Sequence, residues 1–507
     1  MNEVVVYRKR RGIEAVMLAL AVALGASGYL LTHLNIDGRL PDEWPWPIAI
    51  LLGFAVVVHV FTRWRVPYAD PLILPLVMLL NGVGLAMIHR LDLAQNPPQG
   101  AAGLQLIWMA AAVVAFCAVL FVLRDYRALH RYTYLLFLAG LILLLLPLIP
   151  GLGTAQNGAR IWIHIGTYSL QPAEFAKIVL AIAFASYLVD KRDVLALAGW
   201  RVLGFDLPRA RDLGPILIMW LASLAVLVFQ NDLGTSLMFF GLFVVMLYVA
   251  TQRPSWPILG TLLFAGGAYA AFLLVSHVRV RVSSWLDPFS NYDQNYQVIQ
   301  AQFGFAYGGL LGTGWGLGRP DITPLARSDF ISAAIGEELG VAGLTAVLLI
   351  YGLLVSRGLR AALGSSDPFG KLLAAGLSFG LAIQVITIVG GVTRLLPLTG
   401  LTTPFMSQGG SSLVANWIMV ALLLVITHHA RRPVAAAPAS AVASLAAEET
   451  QVIAQPASAT GGPAPEAAKP ESAKPAPVLA PFPVPVAAFA PAPADVPEPP
   501  QHQGEAL

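Results

Sequence analysis

The chain is predicted to be an all-α polytopic membrane protein, a bundle of about 12 transmembrane helices with a large loop between the ninth and tenth. Three observations predict it. Of 507 residues, 57% are hydrophobic and 12% charged, with a mean hydropathy of +0.70; a soluble domain carries about 25% charged residues. Apolar runs of about 20 residues, enough to cross the hydrocarbon layer, recur along the chain. Basic residues cluster on alternate flanks of those runs, as topology determinants do.

The runs place spans at 13–34, 44–62, 71–88, 104–123, 132–149, 172–189, 213–230, 233–251, 256–275, 331–356, 371–393 and 411–429. With a cytoplasmic N-terminus, the inner flanks hold Arg8 to Arg11, Arg63 and Arg65, Arg124, Arg127 and Arg131, Arg357 and Arg360, and Arg431 and Arg432, among others. These flanks take well over half of the 31 lysines and arginines. Both termini are then expected in the cytoplasm and the long loop outside it. The first span follows a basic stretch, as a signal peptide does, but it is longer than a 7–15-residue signal core and no small-residue cleavage site follows, so it reads as a retained helix. Residues 433–507 turn to Pro, Ala, Glu and Lys, a composition expected to stay disordered because it buries too little apolar surface. The net charge of +3 is small and evenly spread, which argues against a nucleic-acid partner. The single cysteine, Cys117, excludes an internal disulfide or a cysteine metal cluster.

Polar motifs gather on the predicted outer side. After the fifth span come Asn157-Gly158-Ala159-Arg160-Ile161-Trp162 and Gln171-Pro172-Ala173-Glu174-Phe175-Ala176-Lys177. Proline at a first helical position with an acid in the first turn marks a helix start. Glu174 and Lys177, three apart, share a face. They read either as a buried ion pair or as a substrate cation with its partner. Between spans 7 and 8 the connection Gln230-Asn231-Asp232-Leu233-Gly234 is a tight turn, and Asp232 is either a helix cap or a site acid.

The loop from about His277 to Ser328 begins with the basic, amphipathic stretch Arg279-Val280-Arg281-Val282-Ser283-Ser284-Trp285. A short interfacial helix is expected around Tyr296 to Gln302. Next comes the glycine strip Gly308 to Gly318, expected to be flexible and to let backbone approach a ligand; it is no nucleotide fingerprint, since no Walker lysine follows and no strand precedes it. The loop ends Ala326-Arg327-Ser328-Asp329-Phe330 at the mouth of span 10. A charge at bilayer depth costs roughly 2.5–3.5 kcal/mol, so Asp329 should face a cavity, a partner or a substrate. At about 100° per residue, Gly336 and Gly340 lie within some 20° of the Asp329 direction, a small-residue stripe suited to close packing; Glu337, about 80° round, is placed to pair with a basic residue. Thr393-Arg394 and Pro404-Phe405-Met406-Ser407-Gln408-Gly409-Gly410-Ser411-Ser412 form a last outer loop entering a helix, whose free N–H groups attract anions or simply turn the chain. Asp329 ringed by Arg160, Lys177, Arg279, Arg281 and Arg394 fits a ligand bearing a diphosphate.

The strings QPAEFAK, NDLGTS, RVSSWLDPF, SDFISAAIGEELG and PFMSQGGSS, in this order, resemble the SEDS family of RodA, FtsW and SpoVE proteins over roughly residues 70–430. The two spans before residue 70 are additional to that family's ten-helix core, and the extension, with Met87-Ile88-His89-Arg90-Leu91-Asp92, looks most like the RodA branch. The resemblance divides the chain into an extension at 1–69, a membrane core at 70–432 and the tail. It implies a peptidoglycan glycosyltransferase that polymerises lipid II at the outer leaflet beside a class B penicillin-binding protein. It also puts the family's essential acid on Asp329 and a second motif acid on Asp232, with Ser328 and Asn231 standing where threonine and proline are usual. The substrate-binding set expected from loop and motifs is Arg160, Glu174, Lys177, Asp232, Arg279, Arg281, Arg394 and Ser411. No cofactor is expected beyond a divalent cation that would help hold the diphosphate. Two other readings are a lipid II flippase, which would need polar residues through the full membrane depth, and a non-catalytic scaffold recruiting partners through its tail.

Overall fold

The computed structural model describes residues 9–433 except 96–99, 157–158, 167, 197–199, 203–204, 208–209 and 231, so the expected disordered tail and Asn231 lie outside the described residues. Helices α1 (Arg11–Asp37), α2 (Pro45–Arg65), α3 (Ile73–Leu93) and α4 (Ala101–Val122) come first. After α5 (Thr133–Leu145) the chain makes a small antiparallel sheet of β1 (Gly153–Gln156), β2 (Ala159–Ile165) and β3 (Tyr168–Leu170). Next come α6 (Pro172–Ala196), a hairpin of β4 (Trp200–Val202) and β5 (Phe205–Leu207), and α7 (Ala210–Phe229), α8 (Leu233–Thr251) and α9 (Ser255–Leu274). The long loop carries α10 (Ser276–Leu286) and α11 (Tyr292–Gly308). Helices α12 (Ile331–Gly364), α13 (Pro368–Val392) and α14 (Gly410–Arg431) close the bundle. Among the described residues eleven helices are long and apolar enough to cross a membrane, and α7 occupies the remaining predicted span. The two short sheets are additions that hydropathy does not reveal.

Burial sorts the helices by what they touch. α3, α6, α13 and α14 bury most of their side chains, whereas α2 and α9 expose Leu, Val, Ile and Phe along nearly their whole length, as lipid-facing helices do. Close approach needs glycine at chosen points: a Cβ on Gly25 of α1 would stand 2.8 Å from the Cα of Gly82 on α3. Buried charges inside the bundle are paired, as low dielectric demands. Arg11 pairs with Glu14, Lys177 with Glu174 at 2.6 Å, and Arg90 with Glu338 at 2.8 Å.

The expected Asp329–Gly336–Gly340 stripe does not form, because Asp329 precedes α12 and Gly340 breaks it with φ 69° and ψ −174°. Nor does the glycine strip hang free for a ligand. It is laced to the break: the N–H groups of Thr313 and Gly314 donate to the carbonyls of Glu337 and Glu338, and those of Val341 and Ala342 to Gly309 and Leu310. Glu337 accepts from the backbone N–H of Arg319 at 2.5 Å, leaving the side-chain ion pair to Glu338. The strip's φ values are positive at Gly309, Gly312, Gly314 and Gly316, which explains its composition. Gly340→Ala would put a Cβ against the backbone of Gly312 and Leu310 at a positive φ; this chain is expected to lose at least about 1–3 kcal/mol of stability, read as a lower apparent Tm in detergent.

Candidate active site

A cavity of about 840 Å³ opens at the loop end of the bundle, between β2, α10, the start of α11, the turn before α12 and the segment 391–408. Asp329 lines it. The turn 323–330 that carries Asp329 is tightly wound: Leu325 has φ 58°, and its carbonyl accepts from the N–H groups of both Ser328 (3.0 Å) and Phe330 (3.2 Å). Phe330 is fully buried in a small apolar cluster with Val298, Ala301, Ala333 and Val392, which anchors the turn from below. From the side, the Ser407 hydroxyl donates to the Ser328 carbonyl (2.6 Å) and the Gln408 N–H to the Arg327 carbonyl (2.7 Å). Ser407 and Gln408 belong to the PFMSQGG string, whose work is thus to hold the Asp329 turn.

Burial raises the Asp329 carboxyl to about 6, against the opposing pull of the Arg281 guanidinium and a hydrogen bond from Ser328. Arg281 is fixed by Nη1, which donates to the carbonyls of Leu398 (3.1 Å) and Thr399 (3.0 Å). Both side chains converge on Gly400: a Cβ there would lie 3.8 Å from Arg281 Nη2 and 3.8 Å from Asp329 Oδ2. A carboxylate poised near neutrality beside a guanidinium can take a proton from a hydroxyl while the cation steadies an anion.

The other expected site residues divide. Asp232 caps α8, accepting from Thr235 N–H at 3.0 Å through Oδ1, while its buried Oδ2 has no hydrogen-bond partner among the described residues. Burial raises its pKa, and Arg281 acts on it as well as on Asp329. Arg281 is therefore the cation shared by two acids. Arg394 lines the cavity at φ 61°, with Nη2 on the carbonyls of Trp285 (2.9 Å) and Leu286 (3.4 Å) while Trp285 Nε1 donates back to its carbonyl at 2.9 Å. The guanidinium ties down the end of α10, where free carbonyls attract cations.

Glu174 and Lys177 lie within the bundle rather than on the cavity wall. Lys177 Nζ donates to Glu174, to Gln384 (2.9 Å) and to Asn416 (3.4 Å). Gln384 in turn donates to the Thr402 carbonyl at 3.2 Å, and Thr402 lines the cavity, so the ion pair buttresses the wall. Ser411 is also buried, its Oγ accepting from the N–H of Gln171, a wall residue. Arg160 and Arg279 are exposed and do not line the cavity. Arg279 sits two residues before Arg281, about 200° round the helix, which turns it away. The expected ring of five cations thus reduces to Arg281 and Arg394. Composition and motif reading passed over the rest of the wall, notably Trp162, Gln171, Gln294 and Thr402, because ordinary polar and aromatic residues acquire meaning only by converging.

The FtsW/RodA/SpoVE cell cycle protein family model matches residues 71–432. The chain is 49% identical over 451 residues to the peptidoglycan glycosyltransferase RodA of Mycobacterium tuberculosis (strain ATCC 25618 / H37Rv), covering 88% of this chain and 96% of that one. Among solved structures, it resembles a chain from a study of the structural coordination of polymerization and crosslinking by a peptidoglycan synthase complex, with TM-score 0.59, 26% identity and coverage of 72% and 99%. The Thermus thermophilus rod shape determining protein RodA matches at TM-score 0.52 and 25% identity, with coverage of 72% and 98%.

Proposed function

This chain belongs to the FtsW, RodA and SpoVE family and is a peptidoglycan glycosyltransferase, and we propose that it extends glycan strands from lipid II with Asp329 as general base. The observation that carries the assignment is the half-buried Asp329 beside Arg281 on the wall of a cavity large enough for sugars. In the proposed step the acceptor sugar hydroxyl attacks the donor's anomeric carbon, the bond from that carbon to the diphosphate oxygen breaks, and the hydroxyl proton passes to Asp329. Arg281 faces the departing diphosphate, where negative charge grows in the transition state. Amide side chains of Gln171 and Gln294 and the indoles of Trp162 and Trp285 supply the wall against which sugars would sit.

Basic residues favour the opposite end of the bundle, which supports an extracytoplasmic cavity and cytoplasmic termini. Likeness to a chain of a peptidoglycan synthase complex supports work beside a cross-linking partner, which we assign to the class B penicillin-binding proteins. Among the described residues no three His, Cys, Asp or Glu side chains gather as metal ligands. A divalent cation therefore enters this reading as a counter-ion carried by the diphosphate.

Purified protein, with its partner, is expected to convert lipid II into glycan polymer resolved on a gel; lipid II left intact under conditions where the partner is active would refute the reading. The rate should rise with pH along an acid limb centred near 6, since only the ionised carboxylate accepts a proton. A rate flat from pH 5 to about 7 would remove Asp329 from the step.

A further inference from the structure

Arg394 is the other arginine on the cavity wall, and its backbone is strained: φ is 61°, a left-handed conformation that glycine adopts freely and a residue with a Cβ rarely does. Glycine would make that turn with less strain, so what the position gains from arginine is its side chain. The guanidinium is held without being neutralised. Nη2 is fixed on the carbonyls of Trp285 and Leu286, Nε is buried with no hydrogen-bond partner, and among the described residues no carboxylate pairs with it. Arg281 differs, because Asp232 and Asp329 both act on it and match its charge before any substrate arrives. The remaining titratable groups on the wall are His277 and Asp293, the latter exposed in the first turn of α11 and in no ion pair with Arg394 among the described residues. Leu286, whose carbonyl the guanidinium meets, and Leu395, next in the chain, are 68% and 73% exposed. Apolar side chains left open beside a fixed cation suit the head of a lipid, its anion on the guanidinium and its chain in the bilayer.

We infer that Arg394 is a binding residue for the diphosphate that the reaction leaves in place. This rests on the proposed transfer between two lipid-linked sugars, each bearing one diphosphate. The donor's diphosphate departs as the new bond forms, and the acceptor's stays on its sugar. Charge grows on the departing group, which Arg281 faces, whereas the retained group carries the same charge throughout. A cation on the retained group binds ground and transition states alike, so it lowers KM without raising kcat. A carboxylate elsewhere on the substrate would offer the same anionic oxygens, but no lipid chain beside them to meet the two leucines.

The test uses the full chain with its partner and lipid II. Arg394→Gly removes the cation and suits the backbone. It is expected to raise KM for lipid II about 10-fold, the scale of one hydrogen-bonded charge, with kcat within about twofold. If arginine served only to fasten the end of α10, which carries Arg281, its loss would lower kcat more than it raised KM, and that result overturns the inference. Arg394→Lys, which keeps the charge without the fork, should recover part of the KM. Binding of lipid II to an Asp329→Asn chain, read by thermophoresis, should likewise weaken about 10-fold when Arg394→Gly is added. Lipid II with its peptide carboxylates amidated should lose the same factor; a factor that vanishes with this probe would place a carboxylate on Arg394 and overturn the inference. If Arg394→Gly does not purify, Arg394→Lys and Arg394→Gln are compared in the same binding measurement: the lysine chain should bind more tightly, and equal affinities overturn the inference. An Asp329→Asn chain that still polymerises would instead remove the base assignment, and the KM split at Arg394 would stand apart from it.

Discussion

Asp329→Asn is expected to abolish glycan polymerisation, with a fall of at least about 10²–10⁴-fold, the usual contribution of a positioned general base. The amide keeps the volume and can hydrogen-bond to a sugar hydroxyl, but it cannot accept its proton. Binding should therefore survive, so that lipid II still associates while turnover stops, a split that separates chemistry from misfolding. The same change is expected to stabilise the fold. Burial raises the folded-state pKa to about 6, above the ordinary carboxylate value, so between those values the folded state holds more protons than the unfolded state. Stability consequently falls as pH rises through that window and stays lower above it. Asp329→Asn removes the buried charge and should raise the apparent Tm at pH 7.5, with little difference from the parent near pH 4. Polymer formed at more than about a tenth of the parent rate would sink the assignment, since no base is left at that position.

Arg281→Gln carries the second largest expected effect, about 10²–10³-fold in kcat, the scale seen when a transition-state donor is removed. Two losses combine. The departing diphosphate loses the cation that faces it, and Asp329 loses the charge that restrains its pKa, so the acid limb should move to higher pH. Arg281→Lys should recover only part of the rate, because an ammonium keeps the charge but lacks the planar fork that spans the Leu398 and Thr399 carbonyls. An acid limb that stays at its parent position in Arg281→Gln would show that the guanidinium does not act on the base.

Much of the bundle was legible in sequence because lipid imposes a one-dimensional rule: each span needs about 20 apolar residues. Predicted spans such as 233–251 and 371–393 fall on α8 (Leu233–Thr251) and α13 (Pro368–Val392) almost to the residue. The turn at Asp232 and the helix start at Pro172 were legible for a similar reason, since caps and prolines act locally. The site was only partly so. Asp329 and Arg281 stood out as charges in a context that penalises charge, but Arg160, Arg279 and Lys177 carried the same signal and point elsewhere. Charge at membrane depth marks a residue that needs company without saying whose.

Sequence by itself determined the class, the approximate placement of most membrane helices, and the acid at the mouth of span 10, because hydropathy and desolvation cost are properties of each residue in its own segment. Tertiary structure alone decided which cations meet Asp329. Arg281 reaches it from α10 although 48 positions separate them in the chain, whereas Arg327, two residues away, is drawn off to Asp92 on α3. Electrostatic interaction depends on distance and burial in space, and neither is written in the order of residues.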